Sequence, residues 1–153
     1  MADGISLSVV ARAFEGREEG KRVFLHYQTG EIQSITEEGI ALAESPDPPE
    51  LAQEQQQTLR QIREVIGSPD WLEIPPRSRS REYHWMERFC VEMCDEDVQS
   101  EILELLHGKG AFGRFRAEIE HRGLQTVWQQ FRRGLILEEA EGWLQDQAID
   151  YIK

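Results

Sequence analysis

The chain's densest chemistry lies in His107-Gly108-Lys109-Gly110-Ala111-Phe112-Gly113-Arg114-Phe115-Arg116, where glycines, aromatics and positive charge concentrate. Residues 108–113 spell G-x-G-x-x-G, which on a strand-to-helix turn cradles the pyrophosphate of a dinucleotide. That chemistry needs a strand in front and an acidic residue after a second strand about 20 residues on. Here a helical pattern precedes and the helical stripe of Leu124, Trp128 and Phe131 follows, so no dinucleotide is expected. A phosphate loop fails too, because Lys109 follows the first glycine and no Gly-Lys-Ser/Thr occurs. A smaller device survives: backbone amides opening a helix, with Lys109 beside them, suited to one phosphate or carboxylate.

Basic residues gather around this stretch. Between 107 and 133, Lys109, Arg114, Arg116, Arg122, Arg132 and Arg133 stand against Glu118 and Glu120, a local charge of +4. Arg114 and Glu118, Arg116 and Glu120, and Glu118 and Arg122 are spaced for pairing along one helix, which favours a neutralised, solvated face. Lys109, Arg132 and Arg133 lack such neighbours within the region and are the residues to meet an acidic partner or RNA. Arg77, Arg79 and Arg81 alternate with Ser78 and Ser80 just after Pro76. This reads first as an exposed linker and second as an anion contact. The candidate anion- or partner-binding set is therefore Lys109, Arg114, Arg132, Arg133, Arg77 and Arg79. Phe112, Phe115, Trp128 and Phe131 interleave with it but fall on core stripes, which favours burial over base stacking.

Other chemistry is thin. Cys90 and Cys94, with His84 or His107, suggest zinc only until a second close ligand pair is sought and not found. Core thiols are the expectation. His26, His84, His107 and His121 are scattered, and no Gly-x-Ser-x-Gly elbow occurs. No catalytic residue, metal or cofactor is expected, and the enzyme question leans to no.

The elements that must position these residues follow from periodicity. Leu7, Val10, Ala11 and Phe14 predict a short helix behind Ser6 or Ser8, ending near Gly16. Residues 22–28 and 31–35 flank Thr29-Gly30 as a β-hairpin, with both faces of its first strand partly covered. The prolines of 44–49 make a loop. A mostly solvated helix with the stripe Leu51, Leu59, Ile62 and Ile66 follows, then a brief edge strand Trp71–Ile74 stopped by Pro75 and Pro76.

Beyond Arg77 the pattern is helical throughout. The first helix, 81–93, carries Met86, Phe89, Cys90 and Met93 inward. Asp95 caps a second with Val98, Ile102, Leu105 and Leu106, closed by Gly108. The third, 110–121, buries Phe112, Phe115 and Ile119 and stops at Gly123. A last stripe from Leu124 through Leu144 to Ala148 and Tyr151 is long enough for two helices in line, with a bend at Gly134. The fold class is α+β: a small antiparallel sheet, hairpin plus short third strand, with a C-terminal helical bundle. Residues 1–153 read as a single domain, with 1–43 the N-terminal helix and hairpin, 44–76 linker, helix and strand, and 77–153 the helical part.

With 153 residues the chain can bury a real core. A net charge of -12 and a pI near 4.8 repel phosphate backbones and anionic membranes at long range, so nucleic-acid binding would rest on a local patch. Residues 1–75 carry 6 basic and 14 acidic side chains and residues 76–153 carry 11 and 15, so the second part is the less negative. Two cysteines four apart on a helix are badly placed to pair. No stretch approaches the roughly 20 apolar residues of a membrane span. The apolar run near Leu7–Val10 is too short for a signal peptide. A cytoplasmic protein is expected.

Trp71-Leu72-Glu73-Ile74-Pro75-Pro76, Gly108-Lys109-Gly110-Ala111-Phe112 with Phe115, then Gly123-Leu124, Trp128, Phe131 and Trp143-Leu144 resemble a family of small bacterial proteins classed only as an uncharacterised protein family. The resemblance covers most of 71–150, and Tyr27–Ile35 is similar to the family's N-terminal hairpin. It implies a shared fold and carries no function. Gly113 stands where the family commonly has arginine, which implies that glycine is not required there. The functional expectation is a cytoplasmic, non-catalytic interaction or regulatory module with a protein partner. The alternative is an RNA- or DNA-associated regulator using the basic patch of 107–133. The strand near Trp71 offers an edge to a second copy, shortened by its prolines, which leaves the oligomeric state open.

Overall fold

The computed structural model describes residues 4–15, 20–46, 50–76 and 78–153. They form two compact units, 1–76 with 140–153, and 77–139. The fold class is α+β, as the sequence predicts: a three-stranded antiparallel sheet with helices, followed by C-terminal helices.

The first unit opens with β1 (Ile5–Ser6) and α1 (Leu7–Glu15), where the predicted stripe Leu7, Val10, Ala11 and Phe14 is buried. The hairpin follows as β2 (Lys21–His26) and β3 (Ile32–Thr36) around Gly30, whose φ of +78° suits a residue without a Cβ. β2 is the central strand, flanked by β3 and by β4 (Trp71–Glu73). That placement explains why Val23, Phe24 and Leu25 are buried consecutively instead of alternately. Arg22 grips Glu73 across β2 and β4 with both Nε (2.8 Å) and Nη2 (2.9 Å), a bidentate pair fixing the register of the short strand.

Between the strands lie α2 (Glu37–Glu44) and α3 (Gln53–Gly67). The hydroxyl of Thr36 accepts from the Gly39 amide at 3.0 Å, capping α2. A Cβ on Gly39 would lie 2.9 Å from both Ile62 Cδ1 and Thr36 Oγ1, so glycine permits the close approach of α2 to α3. On α3 the buried residues are Leu59, Ile62 and Val65. Val65 thus takes the core position expected of Ile66, which is only half-buried. At the C-terminus β5 (Tyr151–Ile152) pairs in parallel with β1.

The second unit contains α4 (Arg79–Met93), α5 (Glu96–Leu105), α6 (Ala111–His121) and the first part of α7 (Gln125–Asp146). Ser78 accepts from the Arg81 amide and Asp95 from the Val98 amide, each at 3.0 Å, so polar caps start α4 and α5. Gly110 (φ +82°) stands before α6, and Gly123 (φ +70°) follows it. Met86, Phe89, Cys90, Ile102, Leu106, Phe115 and Ile119 form the core. Rings pack edge to face within it, with Phe115 4.9 Å and Phe89 5.3 Å from Trp128. Met93 is 50 % exposed, against the expectation that it packs inward. It is the last residue of α4, and Trp85 takes the fourth buried place on that helix.

α7 is one 22-residue helix over a stripe long enough for two in line. Gly134 continues it at a propensity cost of about 1 kcal/mol relative to alanine. The helix ends through a left-handed Ala148 (φ +56°) and a bond from the Ile149 amide to the Leu144 carbonyl at 2.9 Å. Ala148 and Tyr151 therefore lie beyond the helix that the apolar stripe extends to them.

Candidate functional site

α5 leaves its last carbonyls without helical partners, as every α-helix must. Two side chains from its neighbours take the Leu105 carbonyl and three carbonyls of the residues that follow the helix. Arg114, on the first turn of α6, reaches back and donates from Nε to the Leu105 carbonyl (3.0 Å), from Nη1 to that of Lys109 (2.6 Å) and from Nη2 to that of His107. The Tyr83 hydroxyl on α4 donates to the Leu106 carbonyl at 2.8 Å. A cation at a helix C-terminus is also favoured by the helix dipole. The Gly108-Lys109-Gly110 joint is thereby held at four carbonyls. Left-handed glycines at 108 and 110 let it turn, and a Cβ on Gly110 would stand 3.1 Å from Arg114 Nη1.

Against this loop lies a groove of about 430 Å³ lined by Arg79, Tyr83, Leu106, the 107–110 loop, Ala111 and Phe112. Its lining combines the exposed residues Arg79, His107 and Lys109 with Tyr83, Leu106 and Phe112. Gly110 provides no side-chain cap to α6, so the amides opening that helix receive none. A Cβ on Gly113 would meet nothing within 4 Å, and the residue has an ordinary φ, so a side chain fits there.

The candidate basic residues that are described are put to different uses. Lys109 and Arg79 line the groove. Arg114 is the clamp on the loop. Arg132 pairs with Glu82 at 2.8 Å, with side chains only 16 % and 15 % exposed, and its guanidinium lies 5.9 Å from the Trp85 ring centre. Arg133 is exposed on α7 and does not line the groove. Arg77 lies outside the described residues. Of the three pairings spaced along α6, Glu118 with Arg122 forms at 2.7 Å, and Arg122 also reaches Glu101 of α5. Arg114 turns to the loop instead, and Arg116 makes no ion pair among the described residues. Sequence reasoning missed Tyr83 and the clamping role of Arg114. The available signal was an arginine four residues after a glycine joint, within reach of the preceding helix's carbonyls.

Residues 50–153 match the model of the uncharacterised protein family UPF0158. The chain belongs to this family. No curated protein and no solved structure matches the chain. The whole groove falls inside the UPF0158 match, whereas the hairpin of β2 and β3 precedes it.

Elsewhere in this UPF0158 chain, titratable groups are shaped by burial. Among the described residues no group of three or more His, Cys, Asp or Glu is placed to hold a metal. Cys90 is buried and unpaired, and burial, with Cys94 and Glu87 adding to it, pushes its thiol up to about 12. Burial also raises Cys94, assisted by Asp95. A thiolate is the reactive form, so buried Cys90 is expected to resist labelling at pH 8 in the native protein, and half-buried Cys94 to be the more reactive of the two. Counting thiols with a chromogenic disulfide should give at most one within minutes, rising to two in denaturant. Two fast native thiols would contradict the burial. Glu139 is raised by burial, with Arg81 at 2.7 Å pulling the other way.

Proposed function

We propose that this UPF0158 chain is a cytoplasmic, non-catalytic interaction module that takes a polypeptide segment of a partner into the groove between Arg79 and Lys109. The observation that carries this reading is the locked loop: Arg114 and Tyr83 hold four backbone carbonyls between 105 and 109, so the groove wall is built before any partner arrives. A pre-organised wall spares the ordering cost that a mobile loop would add to binding. A nucleic-acid surface draws less support, since two of its candidate cations, Arg114 and Arg132, give their guanidinium donors to loop carbonyls and to Glu82. No described helix is long and apolar enough to cross a membrane.

Selection of peptides from a random library on the full chain, followed by amide chemical-shift mapping, tests the reading. Selected peptides are expected to move the resonances of 106–112 together with those of residues 79 and 83. An empty selection, or shifts confined to other surfaces, would overturn it.

A further inference from the structure

Resting on the reading of the groove as a peptide-docking site, we propose that its partner segment is acidic, with at least two carboxylates flanking an apolar side chain. The lining supplies the argument. Among the described residues that form it, Arg79 and Lys109 are charged and positive, and none is acidic. This holds in a chain with 29 acidic and only 17 basic side chains, so the groove departs from the sign of the surrounding protein. An acidic segment is repelled by most of the molecule and attracted here, which selects both place and orientation.

The remaining chemistry agrees with a peptide more than with a bare anion. Tyr83, Leu106, Ala111 and Phe112 add apolar surface to a lining that also holds the two cations, which suits a segment combining carboxylates with a leucine or aromatic side chain. The cations themselves are available. Lys109 is exposed and contributes only its backbone carbonyl to the Arg114 clamp, and Arg79 is exposed on the first turn of α4. Burying neither charge fully, the groove avoids the desolvation penalty of an internal ion pair.

The test uses the full chain and three synthetic peptides of one length: Glu-Glu-Leu-Glu-Glu repeats, the same sequence with glutamine for glutamate, and the same with lysine. A single-stranded RNA oligomer is the fourth ligand. The acidic peptide is expected to bind about tenfold or more tightly than the glutamine version, to lose about tenfold on Lys109→Glu, and to weaken as salt rises. Arg133→Glu, on a surface away from the groove, should leave it unchanged. Equal binding of the acidic and glutamine peptides, with shifts still at 106–112, would overturn the acidic preference and leave the docking site standing. Tighter binding of the RNA at the same residues would overturn it in favour of nucleic acid. Self-association of the chain that the peptide displaces would assign the groove to a second copy. Failure of every peptide, including those from the random selection, would remove the docking site itself.

Discussion

Phe89→Ala is expected to destabilise the helical unit by about 3–5 kcal/mol, the range for deleting a fully buried phenylalanine. Phe89 is 0 % exposed and stands at the centre of the aromatic cluster, with ring centres of Trp128 at 5.3 Å, Phe131 at 5.4 Å and Phe115 at 6.3 Å. Its removal takes a contact from all three and leaves a cavity bounded by rigid rings, which collapse poorly. Urea unfolding read by tryptophan fluorescence measures the effect, because Trp128 reports on the site directly. Met93→Ala on the same helix is the control. Half-exposed at the helix end, it should change stability by no more than about 0.5 kcal/mol. A loss below about 1 kcal/mol for Phe89→Ala would show that the four helices do not share this core.

Arg114→Gln is expected to cost about 2 kcal/mol. Hydrogen bonds from a charged donor contribute roughly 1.5–3 kcal/mol each when desolvated, and exposure of this guanidinium to solvent scales three of them down to that total. The glutamine amide reaches at most part of the set that the guanidinium holds, at Leu105, His107 and Lys109. Arg114→Lys should recover only a fraction, since an ammonium has no planar fork to span three carbonyls. The same variants loosen the groove wall, so peptide binding should weaken alongside stability. Thermal unfolding and binding measured on each variant check both effects. Full stability in Arg114→Gln would show that the three carbonyls do not depend on Arg114.

Most of the fold was legible because local signals and burial agreed. The α1 stripe, the Asp95 cap and the Gly110 and Gly123 boundaries of α6 each pair a periodic apolar face with a residue that stops or starts a helix. The third strand was legible because Trp71-Leu72-Glu73 precedes two prolines. α2 escaped because Gly39 interrupts its pattern with a residue poor in helix propensity, and its reason for being there, the contact with Ile62, is tertiary. The β1–β5 pairing escaped because two residues at each end of a chain carry no period.

The candidate site was half legible. Charge pointed to 107–133, and the groove does lie at Lys109 and the start of α6. Spacing along the sequence, however, shows partners only within a helix. The acid that neutralises Arg132 is Glu82, 50 residues away, and the groups that occupy Arg114 are main-chain carbonyls with no sequence identity at all. Backbone acceptors are invisible to any count of charges. For that reason the charge count grouped side chains that the fold puts to different uses: Arg114 as a clamp, Arg132 in an ion pair with Glu82, and Arg79 and Lys109 in the groove lining.

The most direct measurement of this division is the melting temperature of Lys109→Glu beside that of Arg114→Gln, taken in the same buffer. Lys109→Glu should melt within about 1–2 °C of the parent chain, because the residue is exposed and its part in the clamp is a backbone carbonyl, which the substitution keeps. Arg114→Gln should melt lower by roughly 4–8 °C, the shift that about 2 kcal/mol produces in a domain of this size. The reverse order, with Arg114→Gln unchanged and Lys109→Glu destabilised, would contradict the account.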